Sequence, residues 1–440
     1  MKTSMIADGL KILFGAIPGQ LVIQITNHCN GACPQCGMRK TAAGARHILP
    51  PEKIKHTVKQ CAEHGFEAVS FTGGEPFLNM NRLFDLLDDA GQKGIPYLRT
   101  GTNGYMLADA DAAQLNDLAA RLAGTKIRNF WISLDSADTI THETMRGLPG
   151  VTAGIRKALP VFHAHGVYPA ANLGINRNIR GEPIPRLTES QPDEPQTGEP
   201  QAGRTTEANE FLTAFKDGFT AFFNKAIDLG FTMANVCYPM SCDDKTFDDP
   251  AYGAISDDYC VSFSPRERRL VFRALLETIP AFRNKIRIFS PLSVLYALSE
   301  EDDALMFPCL GGIRYFYMDS RDGRIYPCGY LGDRDLGDDL DEVVKQDNRG
   351  KPHCQKCHWE CFRDPSQLFG LARYIVRHPL GALVQKKPHP HLLKLWFGDL
   401  RYYMKHDFFS GRTVPKLKEA VCDESRQPLQ NGSADLPENG

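Results

Sequence analysis

The sequence predicts an α/β chain: a partial (β/α)6 TIM-like barrel followed by a small cysteine-rich α+β region. Three observations predict it. Strand-length apolar runs alternate with helix-length amphipathic segments through the first half of the chain. Polar and glycine-containing motifs close the strands, at the edge where such a barrel carries its chemistry. Most of the 13 cysteines are bunched, three between Cys29 and Cys36 and five between Cys309 and Cys361.

The elements run in order. Leu21 to Thr26 (LVIQIT) reads as a buried first strand, and Pro51 to His64 as a helix opened by proline. Glu67 to Thr72 is strand-like, and Arg82 to Lys93 is helical. PYLRTGT leads into a third strand, with a helix over Ala108 to Ala123. Arg128 to Asp135 is the fourth strand, followed by a helix near Val151 to His165. Val167 to Ile175 is the fifth strand, Glu207 to Leu229 a long helix, and Phe231 to Tyr238 the sixth strand. Right-handed crossovers would curl these units into a barrel.

The divisions expected are an N-terminal segment at 1–20, a core at 21–240, a helical linker at 241–305, a cysteine-rich domain at 306–365, a helical region at 366–422 and a disordered tail at 423–440. Inside the core, 181–207 is rich in Pro, Glu, Gln, Thr and Gly and reads as a disordered insertion.

Composition excludes some classes. The 440 residues carry a formal net charge of -2, which gives no global case for nucleic-acid binding. No run of about 20 apolar residues suggests a membrane span, and the N-terminus lacks the pattern of a signal peptide. Tight cysteine groups suit metal ligation better than a disulfide framework, which implies a reducing, cytoplasmic setting.

The chemistry starts at Cys29-Asn-Gly-Ala-Cys33-Pro-Gln-Cys36, directly after the first strand. Three thiolates at this spacing can hold three irons of a cubane cluster and leave the fourth open to a ligand. A zinc site, with His28 as a fourth ligand, is the alternative reading of the same residues. Next come Thr72-Gly73-Gly74-Glu75-Pro76 after strand two, Thr102-Asn103-Gly104 after strand three, and Ser133-Leu134-Asp135 after strand four, followed by His142 and Arg146. Glycines let backbone approach a ligand closely. A carboxylate accepts hydrogen bonds from an ammonium, and arginine suits a carboxylate.

This ordered set, over about Leu21 to Tyr238, resembles the radical S-adenosylmethionine (SAM) superfamily. The resemblance implies a 4Fe–4S cluster on Cys29, Cys33 and Cys36 whose unique iron binds the amino and carboxylate groups of SAM. It implies that Gly73, Gly74 and Glu75 contact the methionyl part, and that Ser133 and Arg146 bind ribose and carboxylate. Asn103 joins the SAM site, completed by Asn172 or Asn176. Gln35 stands where the family often has an aromatic residue, at the adenine contact.

The second cysteine group is Cys309, Cys328, Cys354, Cys357 and Cys361. The segment between the first two alternates apolar and polar residues around Asp322-Gly323, a hairpin signal that would bring Cys309 and Cys328 together. With four residues between Gly323 and Cys328, it resembles the SPASM/twitch auxiliary-cluster extension, which implies a second 4Fe–4S cluster. Cys309, Cys328, Cys354 and Cys357 are expected as ligands, with Cys361 as a fifth candidate; a zinc ribbon is the alternative.

Leu368 to Phe409 mixes apolar, basic and aromatic residues. It is expected either to pack over the cluster domain or to make peripheral membrane contact. The expected activity is reductive SAM cleavage to a 5′-deoxyadenosyl radical that abstracts hydrogen from a peptide, lipid or small molecule. An electron donor such as flavodoxin or ferredoxin would be the partner. A non-catalytic iron–sulfur electron carrier and a zinc-ribbon binding module are the competing functions.

Overall fold

The structure is a computed structural model that describes residues 18–38, 46–188, 201–239, 251–253, 255–300, 302–346, 354, 357–377 and 389–417. The expected N-terminal segment and C-terminal tail fall almost wholly outside these residues, as do Cys242 and Cys422.

The expected α/β architecture is present. Strands β1 (Gly19–Thr26), β2 (Phe66–Gly73), β3 (Tyr97–Thr102), β4 (Ile127–Ser133), β5 (Ala170–Gly174), β6 (Met233–Cys237) and β7 (Arg287–Ile288) pair in parallel, each with its sequence neighbour. Helices α1 (Pro51–Glu63), α2 (Met80–Gln92), α3 (Ala112–Gly124), α4 (Thr139–Arg146), α5 (Val151–Ala164), α6 (Gln201–Leu229), α7 (Pro265–Thr278) and α8 (Leu292–Ser299) lie between and after them. Every residue of β1 is buried, and Gln20 and Val22 face the interior cavity.

Local chemistry fixes the helix starts. Asp111 and Gln114 form a reciprocal capping box on α3, and Ser264 with Glu267 does the same on α7, where Pro265 takes the first turn. Asp138 caps α4 by accepting from the Thr141 amide at 2.7 Å.

The parallel run continues past the six expected strands: β7 extends it within the expected helical linker. The Asp322-Gly323 hairpin forms, with β8 (Tyr315–Met318) antiparallel to β9 (Ile325–Tyr326), but β8 also pairs in parallel with β1. The nine strands therefore make one sheet, and the cysteine-rich region is grafted onto the barrel edge instead of standing apart.

The expectation of a disordered insertion at 181–207 needs correction. Ile184 and Leu187 are buried in the main core, the Ile184 amide donates to the Arg177 carbonyl, and the Leu187 amide donates to Glu267 at 2.9 Å. The far end, from Gln201, is already helix α6. Residues 189–200 lie outside the described residues.

The C-terminal helices pack. After α9 (Leu340–Lys345), helix α10 (Glu360–Arg377) crosses the boundary expected at 365, and α11 (Pro390–Lys405) buries Leu392, Trp396, Asp399, Leu400 and Tyr403. Asp399 accepts from the Arg283 guanidinium and the Ser293 amide, both at 2.8 Å. Past α11, the Gly411 amide donates to the Arg128 carbonyl and the Tyr168 amide donates to Gly411, both at 2.7 Å, so this segment plugs the end of the barrel where β4 and β5 begin. No described helix is long and apolar enough to cross a membrane.

Candidate active site

The loop after β1 carries Cys29, Cys33 and Cys36, all free thiols. Backbone bonds from neighbouring motifs anchor it. The Gly74 amide donates to Thr26 and the Glu75 amide to His28, both at 2.8 Å, and the Ala32 amide donates to the Arg146 carbonyl at 2.9 Å. A β-carbon on Gly74 would lie 2.2 Å from the His28 carbonyl oxygen, so this approach admits only glycine. Ser256 donates to the Pro34 carbonyl at 2.8 Å from the other side.

Glu75 is buried, and both its oxygens accept from backbone amides: Phe77 at 3.0 Å and Asn103 at 2.6 Å. Burial pushes its carboxyl up to about 7 despite those bonds. Asn103 turns its side-chain amide toward the cysteine loop, donating to the side-chain Oδ1 of Asn30 at 2.8 Å.

Asp135 joins the parts. Its Oδ2 accepts from Gln35 at 2.6 Å and from Arg146 Nε at 2.7 Å. Its amide donates to His142 Nδ1 at 3.1 Å, and its carbonyl accepts from Asn176 at 2.8 Å. Burial alone would lower the Arg146 pKa, but the charges of Asp135 and of the Cys33 and Cys29 thiolates outweigh it and hold the guanidinium above its ordinary value. Burial, and then the neighbouring Cys33 charge, pushes the Cys36 thiol up to about 12.

One cavity of about 530 Å³ collects these groups. Cys29, Cys33, Gln35, Cys36, Gly73, Gly74, Glu75, Asn103, Ser133 and Arg146 all line it. Of the two asparagines expected near strand five, Asn172 lines the cavity, while Asn176 is fully buried and bonds backbone carbonyls. His28, the fourth ligand of the zinc reading, is not on its wall. Among the described residues no group of three or more His, Cys, Asp or Glu is set to hold a single metal ion. The residues fit a cubane cluster instead. Three free thiols face one cavity, an arginine stands beside them to offset cluster charge, and glycine backbone clears the approach.

The second cysteine group divides. The Cys309 amide donates to the Cys354 carbonyl at 2.9 Å, and Cys328 and Cys357 lie within electrostatic reach of each other and of Cys309. Arg363 ties the group down, donating to the Phe307 carbonyl at 3.0 Å and the Cys357 carbonyl at 3.2 Å. Cys361, the fifth candidate, packs against the same buried cluster as Cys354 and Cys357. It falls on the first turn of α10 and turns into the barrel cavity, where its thiol donates to Glu360 at 3.3 Å.

Sequence reasoning missed part of the wall. Arg99, Trp131, Asn235, Cys237, Glu360 and Asp364 also line the cavity. Arg99 and Trp131 sit on recognised strands; the signal was alternation along β3 and β4, which places every second side chain inward.

The structure is a parallel sheet of βα units with a cysteine loop and a glycine–acid motif at the carboxyl ends of its first strands. Residues 23–173 match the family model of the radical SAM superfamily. It is 31% identical over 176 residues to a probable GTP 3′,8-cyclase of Saccharolobus islandicus (strain M.14.25 / Kamchatka #1), covering 38% of this chain and 52% of the relative. It is 25% identical over 133 residues to an AdoMet-dependent heme synthase of Methanosarcina barkeri, covering 30% of this chain and 36% of the relative. The chain thus spans about half the length, or less, of these curated relatives. Among solved structures, "Native anSMEcpe with bound AdoMet and Cp18Cys peptide" shares the fold, with a TM-score of 0.50 and 16% identity over 87% of this chain and 99% of that one.

Proposed function

We propose that the protein cleaves SAM reductively and directs the resulting radical at a substrate held in the same cavity. The observation that carries this reading is the convergence of the three loop thiols, Glu75, Asn103, Ser133 and Arg146 on one cavity wall. When bound, a 4Fe–4S cluster with one open iron supplies the electron that splits the sulfonium bond, giving a 5′-deoxyadenosyl radical that abstracts hydrogen.

In this reading Cys29, Cys33 and Cys36 hold the cluster. Gly73 and Gly74 let the methionyl group approach the backbone. Glu75 retains lone pairs for its ammonium, since each oxygen takes only one amide bond. Arg146, oriented by Asp135, stands near the carboxylate, Ser133 near the ribose and Gln35 near the adenine. Asn103 fixes Glu75 and the cysteine loop in one geometry. The cavity wall excludes bulk water from the radical, a service an electron carrier would not need.

Cys309, Cys328, Cys354 and Cys357 would hold an auxiliary 4Fe–4S cluster, and a flavodoxin or ferredoxin would supply electrons. The test is 5′-deoxyadenosine formation by anaerobically reconstituted protein with dithionite and SAM. Activity should vanish when Cys29, Cys33 and Cys36 are all replaced by Ala; persistent turnover would overturn the assignment.

A further inference from the structure

Beyond the groups assigned to SAM, the cavity holds charged side chains that the proposed reaction leaves unused. Glu360 and Asp364 sit one helical turn apart at the start of α10, and both line the cavity. Glu360 is only 9% exposed. Its Oε1 accepts from the Cys361 thiol, while its Oε2 is buried without a hydrogen-bond partner. Asp364 Oδ1 is likewise buried and unpartnered. On β3, Arg99 presents buried Nε and Nη2 donors that also lack partners, within electrostatic reach of Glu360 and Cys361.

Buried polar groups left open are costly unless something completes them. The donors facing these carboxyl groups are the weak thiols of Cys361 and Cys237 and the Tyr238 hydroxyl, so a cation with several N–H bonds to give would complete them. A guanidinium edge with two free donors asks for a planar anion taken side-on. Around them, Trp131, Phe289, Leu400 and Phe409 supply apolar wall. No three acidic, thiol or imidazole groups among the described residues are set for a metal ion, so a metal does not answer the need of these acids.

We propose that this part of the cavity binds a zwitterionic small molecule of the α-amino acid type. Its ammonium rests on Glu360 and Asp364, its carboxylate on Arg99, and its side chain lies against the apolar wall. The inference rests on the reading of the cavity as a substrate chamber beside SAM, and it names the class of substrate.

The test is calorimetric titration of the reconstituted holoprotein, saturated with SAM, with four probes sharing one chain: norleucine, hexylamine, hexanoate and hexanol. Norleucine should bind at least about tenfold tighter than hexylamine or hexanoate, since each half forfeits one buried charge pair. Glu360→Gln should bring norleucine down toward hexanoate, and Arg99→Met should bring it down toward hexylamine. Equal binding of hexanol and norleucine would overturn the proposal, leaving only an apolar chamber. So would parity of hexylamine with norleucine, or no saturable response to any probe. The wild-type series decides the matter even if a variant fails to fold. Because it reads heat and not turnover, it also stands apart from failure of SAM cleavage, which would count against the proposed reaction alone.

Discussion

Asp135 and Arg146 form an ion pair at 2.7 Å with side chains only 2% and 11% exposed, and the same aspartate oxygen also holds Gln35 of the cysteine loop. One carboxylate thus couples the loop between Cys33 and Cys36 to the end of α4. Breaking a buried pair leaves the surviving charge uncompensated, at a cost of about 3–5 kcal/mol. Asp135→Asn should therefore lower stability by that order and weaken SAM binding at least about tenfold, because Arg146 loses its orientation. Adding Arg146→Met should recover part of the stability and none of the SAM affinity. Chemical unfolding and equilibrium SAM binding on the single and double variants check the coupling. Additive stability losses would show that the pair is not energetically linked.

Gly74 supplies a second, steric prediction. A β-carbon there would press on the His28 carbonyl at 2.2 Å and on Cys29 Cβ at 2.9 Å, both parts of the cysteine loop. Gly74→Ala should displace that loop and reduce reconstituted iron by about four atoms per chain, whereas Glu75→Gln should keep the iron and weaken SAM binding. Iron analysis of the two variants separates a backbone requirement from a ligand contact. Full iron in Gly74→Ala would mean the loop yields without consequence.

The first of these residues was half legible in the sequence, and the second fully so. Gly73, Gly74 and Glu75 stand in a local motif at a strand end, where spacing carries the signal. Asp135 was visible as part of Ser-Leu-Asp, but its role as a joint depends on Gln35, 100 residues earlier in the chain, and on Arg146. No local pattern encodes such a contact. The strand order was readable because period and length act within each segment. The pairing of β8 with β1 was not, since it joins residues about 295 apart through shared burial alone. The same limit explains 181–207. Its polar composition is real, yet Ile184 and Leu187 find a core supplied by α7 and the long helix α6. Cys361 shows the opposite limit: its spacing from Cys357 suits ligation, while its place on the first turn of α10 sets its thiol on Glu360.

His142 gives a pH dependence. It is fully buried, its Nδ1 accepts from the Asp135 amide, and burial lowers its pKa to about 4 from 6.5. Between those values the unfolded chain binds the proton and the folded chain does not, so stability falls as pH drops from 6.5 toward 4 and is unaffected by this group above 6.5. At about 1.4 kcal/mol per pH unit the loss approaches about 3 kcal/mol. Comparing thermal midpoints of wild type and His142→Gln between pH 7 and pH 5 isolates the effect: the difference between the two proteins should shrink as pH falls. A constant difference would show that His142 does not titrate in this range.

The last prediction concerns the division of the second cysteine group. Cys309, Cys328 and Cys357 lie within one another's electrostatic reach, and Cys354 joins them through its carbonyl on the Cys309 amide. Around them the aromatic side chains of Tyr315, Tyr330, Trp359 and Phe362 exclude water. Four thiolates would fill every iron of a cubane, so burial and hydrogen bonds to sulfur would set its potential. Cys361 packs against the same cluster, but its thiol bonds to Glu360 in the barrel cavity. With Cys29, Cys33 and Cys36 replaced by Ala, about four irons per chain should remain after anaerobic reconstitution. Adding Cys328→Ser should remove them, and adding Cys361→Ser instead should leave them in place with an unchanged absorption spectrum. Loss of iron on replacing Cys361 would return it to the ligand set and require the start of α10 to unwind. One zinc per chain in place of iron and sulfide would make the group a structural ribbon and leave the protein with a single cluster.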